Sequence, residues 1–97
     1  MKIAHNIWAE IGSDASAEKQ ARAQLMVILR QLINEHGLNQ RATANLLGIS
    51  QPRVSALING KIKDFSVGVL LEFLSKMGWK VDFGYSEGQM TAKAKAA

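Results

Sequence analysis

Apolar residues recur with a helical period between residues 17 and 77. In the stretch 17–36 they form one stripe, made up of Ala21, Leu25, Ile28, Leu29, Leu32 and Ile33. Their spacing of three and four residues places them on one face of an α-helix. Gly37 follows this stretch and suits the left-handed residue that ends many helices. The pattern therefore predicts a long amphipathic helix over residues 17–36.

Two short helices are predicted after this long one, over residues 40–47 and 51–58. Asn39 and Ser50 stand before them, and both are residue types whose side chains accept hydrogen bonds from the first N–H groups of a helix. Gly48 lies between the two helices, where it can end the first of them. The pattern indicates two helices joined by a tight turn.

A fourth helix is predicted over residues 66–77 from the same apolar spacing. The period then changes to two, because Trp79, Val81, Phe83 and Tyr85 alternate with more polar residues. This alternation predicts one strand over residues 79–85. The last segment, 86–97, is rich in alanine and lysine without a pattern, and we expect it to be disordered. The first segment, 1–12, is expected to be an extended arm or a short helix.

A single strand leaves its backbone donors and acceptors without partners, so it needs a neighbour. We predict a symmetric homodimer in which two copies of the strand pair and bury the apolar face of Trp79, Val81, Phe83 and Tyr85. In the alternative, the strand packs against its own fourth helix and the N-terminal arm.

Charge adds a second signal in the middle of the chain. The 97 residues fit one domain, and the net charge is +4. Acidic and basic residues balance over 1–35 and again over 64–97. The segment 36–63 has no acidic residue, and its cations are Arg41, Arg53, Lys61 and Lys63. A local positive excess of this kind favours a polyanionic partner.

Several kinds of chemistry find no support in the composition. Cysteine is absent, and the two histidines, His5 and His36, fall on separate elements, so we expect no metal site and no cofactor. The serines lack a histidine and a carboxylate in positions for a nucleophilic triad, and we expect no enzyme activity. No signal peptide and no membrane-spanning apolar run is recognisable, so a cytoplasmic, nucleoid-associated protein is expected.

The turn between the two short helices has the residues of a helix-turn-helix. Ala44 and Gly48 are small enough for two helices to cross steeply, and Ile49 and Val54 can fix the second short helix against the rest. This leaves a polar outer face of Gln51, Arg53, Ser55, Ala56 and Asn59. A short polar helix without acidic side chains fits the major groove of DNA.

The run LNQRATANLLGISQPRVSALINGK, residues 38–61, resembles the helix-turn-helix of the Xre family, which includes the Cro and repressor proteins of lambdoid phages. The matching positions are Gln40, Ala44, Gly48, Ser50, Gln51, Val54, Leu57, Asn59, Gly60 and Lys61. More widely, the NIWAEIG start and the segment after the motif resemble HigA-like antitoxins. The resemblance implies a mainly α, lambda-repressor-like domain of four to five helices over 13–78, followed by a C-terminal β-strand.

The resemblance also implies a role for each residue of a DNA-binding set. Gln40 would bind a backbone phosphate, Gln51 an adenine edge, and Arg53 a guanine or a phosphate. The whole expected set is Gln40, Arg41, Ser50, Gln51, Arg53, Ser55, Ala56, Asn59, Lys61 and Lys63. The sequence departs from the family pattern at Ala56, where a longer polar residue is common, and at Thr43, where many members have an apolar residue.

Two functions are therefore in competition. The first is a homodimeric repressor that binds a palindromic operator in double-stranded DNA. The second is an antitoxin that silences a toxin and regulates its own operon through the same DNA chemistry, with Ile3, Ile7, Trp8 and Ile11 of the arm as the toxin contact. These four residues would otherwise cover the core of the protein. A helix-turn-helix kept only as an interaction scaffold is a third, remote option.

Overall fold

The computed structural model of the protein describes residues 15–97. The elements in chain order are α1 (Ala15–Glu35), α2 (Gln40–Leu47), α3 (Gln51–Ile58), a 3₁₀ turn (Ile62–Asp64), α4 (Val67–Lys76), β1 (Trp79–Ser86) and β2 (Gln89–Ala96). The expected mainly α fold with a C-terminal β element is thus confirmed. The predicted N-terminal arm, 1–12, lies outside the described residues.

The three shorter helices each begin at a side chain that caps them. The Asn39 side chain accepts a hydrogen bond from the backbone N–H of Ala42 at 2.8 Å. Ser50 does the same for the N–H of Arg53 at 3.3 Å, and Ser66 for that of Val69 at 3.1 Å. Caps of this kind satisfy donors that have no partner within the helix, which is why the starts of these helices follow from the sequence.

The core lies around α1, which packs against α4, α3, the 3₁₀ turn and β2. The most deeply buried side chains of α1 include Ala21, Leu25 and Leu29, and they belong to the stripe predicted from the sequence. Phe65 and Phe73 meet edge to face in the same core, with ring centroids 6.2 Å apart. Within residues 15–97 no helix has both the length and the apolar character needed to cross a bilayer.

The prediction of a disordered tail over 86–97 was wrong, because most of this segment forms the strand β2. This strand runs antiparallel to β1, in a register that pairs Trp79 with Ala96 and Ser86 with Gln89. Glu87 and Gly88 form the two-residue turn, and both have positive φ angles, 51° and 77°. Two consecutive positive φ angles give a turn whose twist matches that of the strands. The sequence signal was weak because glutamate replaces the usual asparagine or aspartate.

Two glutamines of α1 hold the edge of β2 that faces away from β1. Gln20 Oε1 accepts from the Met90 backbone N–H at 3.0 Å, and Gln24 Oε1 accepts from that of Ala92 at 2.7 Å. The amide nitrogens of the same glutamines donate to the carbonyl oxygens of Gly88 and Met90. The two side chains therefore bond this edge as a neighbouring strand would, and Met90 itself is buried, with 1% of its surface exposed.

The hairpin changes the argument for a strand-paired dimer. β2 supplies the partner that β1 needs, so the need of an isolated strand for a second copy no longer applies. Val81 and Phe83 are buried within the chain itself, and Trp79 and Tyr85 are half-buried. β1 packs against α4, which is one part of the alternative prediction; the other part, the N-terminal arm, lies outside the described residues. The homodimer itself remains a prediction.

Candidate nucleic-acid interface

The turn between α2 and α3 is closed by hydrogen bonds to one carbonyl group. The backbone N–H groups of Gly48 and Ile49 both donate to the Ala44 oxygen, at 2.9 and 3.1 Å. Gly48 has φ +70°, a left-handed conformation that favours glycine. Val54 and Leu57 are completely buried beneath α3. Burial on this side fixes which face of α3 turns outward.

The ten residues predicted to contact DNA divide into two groups by exposure. Ser55 and Ala56 are half-buried, and Ala56 packs against the core. The other eight are exposed: Gln40, Arg41, Ser50, Gln51, Arg53, Asn59, Lys61 and Lys63. Gln51 therefore stands on the open side of the first turn of α3, where a side chain of its length can reach out from the surface.

Ser55 and Asn59 form a small polar pair at the end of α3. The Asn59 side-chain nitrogen lies 3.4 Å from Ser55 Oγ, and the Asn59 backbone N–H donates to the Ser55 carbonyl at 2.9 Å. Ser50, in contrast, uses its hydroxyl to cap the helix. A hydroxyl that caps a helix still has a proton to donate, so this role leaves Ser50 a contact to make.

Arg53 does not extend freely from α3. Its guanidinium lies over the ring of Phe65, with the central carbon 4.6 Å from the ring centroid. One of its nitrogens also lies 3.5 Å from the carbonyl oxygen of Asp64. The cation–π contact fixes the charge beside the loop that carries Lys61 and Lys63.

The positive charge of the middle segment remains available to a partner. Arg41, Arg53, Lys61 and Lys63 are all exposed. In the described part of the chain the ion pairs lie elsewhere, between Lys76 and Glu72 and between Lys95 and Asp82. The same part of the chain contains no cluster of three or more histidine or acidic side chains that could hold a metal ion. The interface is thus basic and polar.

Comparison with known proteins agrees with this geometry. A family model described as a helix-turn-helix domain matches residues 7–84. A solved structure named "Putative XRE Family Transcriptional Regulator" is 37% identical to the chain, with a TM-score of 0.66. The match covers 72% of this chain and 79% of that one. No curated protein matches the chain.

The chain belongs to the XRE family of helix-turn-helix proteins. Its fold and its exposed basic surface are those of a DNA-binding transcriptional regulator. The Xre-type motif inferred from residues 38–61 is thereby confirmed. The role of each residue in DNA binding remains a prediction.

The structure explains how this XRE-family chain accommodates Thr43, which departs from the family pattern. Thr43 is fully buried in α2. Its hydroxyl donates to the backbone oxygen of Asn39 at 2.8 Å, so the buried polar group has a partner. The substitution therefore adds no unpaired polar group beneath the turn.

One residue that supports the turn could not be recognised from the sequence. Lys76, at the end of α4, donates from Nζ to the carbonyl oxygen of Leu47, the last residue of α2, at 2.9 Å. A cation suits this place because the final carbonyl groups of a helix lack partners and carry partial negative charge. Glu72 lies 3.8 Å from the same nitrogen. The contact joins residues far apart in the chain, so no local pattern indicates it.

Proposed function

We propose that the protein is a sequence-specific repressor that binds a palindromic operator as a homodimer, with α3 in the major groove. The exposed face of α3 carries this proposal, because Gln51 and Arg53 both stand exposed in its first turn, with Arg53 held against Phe65. No acidic residue occurs from 36 to 63, so nothing in this segment repels a phosphate backbone.

Each exposed residue has a role that fits its place. Gln51 pairs with the N6 and N7 edge of an adenine, a bidentate contact that a glutamine amide can make. Gln40 and Arg41 open α2, where N–H groups and the helix dipole favour a phosphate. The cations beyond α3 contact the backbone and set the register of the helix on the duplex.

The small number of base pairs that one α3 helix can contact favours a homodimer. One α3 helix covers only a few base pairs, so a single copy has little sequence information. Two copies related by a two-fold axis place their α3 helices about 34 Å apart, one turn of DNA, and match a palindrome. Sedimentation of the free protein and of its DNA complex checks the stoichiometry. One copy per operator, however concentrated the protein, contradicts the dimer.

Footprinting on DNA upstream of the protein's own gene tests the proposal. The wild type should protect a palindromic site, and Gln51→Ala should weaken binding to that site by about 1–3 kcal/mol while leaving random-sequence binding unchanged. Gln89→Ala removes an exposed glutamine from the hairpin instead and is the matched control. Equal binding of the operator by the Gln51→Ala variant and the wild type contradicts the proposed reading of bases by α3.

The antitoxin alternative, with a HigA-like partner system, keeps the DNA chemistry and adds a toxin. Val27 supports it, because 61% of this apolar side chain is exposed on α1, and exposed apolar surface often marks a protein contact. The predicted toxin contacts of the N-terminal arm lie outside the described residues. Expression of the neighbouring gene alone should stop growth, and co-expression of this chain should restore it. A harmless neighbour excludes this alternative.

A further inference from the structure

A groove beside α3, which shares Lys61 and Lys63 with the predicted DNA-binding set, has a composition that points to a ligand. It lies between the N-terminal half of α1 and the loop that joins α3 to α4, with a volume of about 510 Å³. Its lining residues are Lys19, Arg22, Gly60, Lys61, Ile62, Lys63 and Asp64. Lys19 and Arg22 belong to no motif recognised in the sequence, because this part of α1 has the pattern of an ordinary charged helix face.

The groove is strongly cationic. Lys19, Arg22, Lys61 and Lys63 line it, whereas Asp64 is its one acidic residue. None of these four cations forms an ion pair with any of residues 15–97. Four like charges around one concavity repel one another, and an anion bound among them removes that repulsion.

Arg22 gives the groove a buried donor. Its Nε atom is shielded from solvent, and no acceptor among residues 15–97 bonds to it. A buried N–H group without an acceptor costs free energy, and a shift of the side chain toward an anion in the groove would relieve this cost. The rest of the Arg22 side chain is half-buried, so packing holds the guanidinium at the groove.

A further arginine, Arg30, lies close to Gly60, one of the residues that line the groove. A side-chain carbon placed on Gly60 would lie 3.5 Å from the terminal nitrogen of Arg30. The loop therefore passes close to this guanidinium at Gly60, where the φ of +72° favours glycine. Asn59 precedes it at the end of α3. Arg30 thus adds a positive charge beside the loop that lines the groove.

We propose that this groove binds a phosphate group. Guanidinium groups donate several N–H bonds in a fixed fork that matches phosphate oxygens, and the neighbouring lysines add charge. The phosphate has two sources. One is the DNA backbone beside the operator, a source that rests on the proposed function. The other is a free phosphate-bearing small molecule.

The first experiment measures phosphate binding without DNA. Thermal unfolding is followed in inorganic phosphate, pyrophosphate and chloride at equal ionic strength. A groove that takes a free phosphate raises the unfolding midpoint in phosphate or pyrophosphate, with an affinity about tenfold weaker in Arg22→Gln. Lys80→Gln, which removes an exposed charge from the hairpin outside the groove, is the control and leaves this affinity unchanged.

The second experiment measures the salt dependence of operator binding. The slope of log K against log salt is negative for DNA binding. If the groove binds a backbone phosphate, this slope is shallower by about one in Arg22→Gln, because one fewer phosphate is neutralised. Lys80→Gln leaves the slope unchanged. Lys19→Gln serves beside Arg22→Gln as a surface variant that keeps the fold intact.

The two measurements separate the possibilities. A shallower salt dependence of operator binding in the groove variants means that the groove binds a DNA phosphate. An unchanged salt dependence, together with the loss of stabilisation by free phosphate, means that it binds a phosphate-bearing small molecule. Phosphate stabilisation in a protein that binds no operator supports the groove while the proposed function fails. If Arg22→Gln and Lys19→Gln match the wild type in both measurements, the groove has no phosphate and the proposal is overturned.

Discussion

The helix-turn-helix and the C-terminal hairpin are stabilised over very different distances along the chain. In the helix-turn-helix, Asn39 bonds to Ala42, Ser50 bonds to Arg53, and the turn closes on Ala44, all within a few residues. The hairpin is joined to α1 by Gln20 and Gln24, whose partners in β2 lie 66–70 residues away. The caps and the turn of the first region are specified locally, whereas the hairpin depends on a neighbour that must already be folded.

This difference predicts that a substitution can unfold one of the two regions without unfolding the other. Local caps and turns survive the loss of a distant contact, whereas β2 has little to hold it when its contacts with α1 are removed. The strand has one large buried side chain, that of Met90. The variants below affect one region and leave the other as an internal reference.

The largest effect is expected from Met90→Ala. The substitution removes a side chain that is 1% exposed and leaves a cavity between β2 and α1, which should lower the free energy of unfolding by about 2–5 kcal/mol. Lys93→Ala changes an exposed residue of the same strand and is the control. Chemical denaturation measures both. If both variants lose a similar, small part of the free energy of unfolding, Met90 does not anchor the hairpin.

A smaller effect is expected from Gln24→Ala, which removes the acceptor of the Ala92 N–H and the donor to the Met90 carbonyl oxygen. Both backbone groups lose their partners, at a cost of about 1–3 kcal/mol. Gln31→Ala lies on the same helix and removes only a 3.4 Å contact with Glu35, so it is the matched control. Amide exchange at Ala92 should quicken in the first variant alone. Unchanged exchange contradicts the bonding of β2 by glutamine.

The same contrast explains what the sequence could predict. The bounds of α2 and α3 agree with prediction because the capping residues and the apolar positions that define them lie within the segment itself. β2 was missed because the positions that alternate with its polar residues are mostly alanine, and alanine and lysine are both uncommon in strands. Gln20 and Gln24, polar residues at helix positions facing the hairpin, read as ordinary surface residues. Nothing near them in the chain indicates a strand edge.

The candidate interface divides in the same way. The open position of Gln51 could be inferred because the buried positions of α3 are set by its own period. The stacking of Arg53 on Phe65 could not, because it requires the path of the loop that follows α3. The cationic groove was missed for a similar reason: Lys19 and Arg22 join Lys61 and Lys63 only after α1 and that loop pack together.

The smallest stability effect, and the sharpest contrast in function, is expected from a pair of glycine substitutions. Gly48 closes the turn before α3, and Gly78 precedes β1, with φ angles of +70° and +84°. Alanine at either position costs about 1–2 kcal/mol, because the left-handed conformation crowds its Cβ atom. Thermal unfolding should show similar losses for Gly48→Ala and Gly78→Ala.

Operator binding should distinguish the two glycine variants at a temperature where both are folded. Relief of strain at Gly48 shifts the turn and with it the direction of α3, so operator affinity should fall by about tenfold, the size of one misplaced base contact. Relief at Gly78 moves only the start of the hairpin and should leave affinity at the wild-type value. An equal loss of affinity in both variants would mean that the hairpin, too, determines how α3 meets DNA.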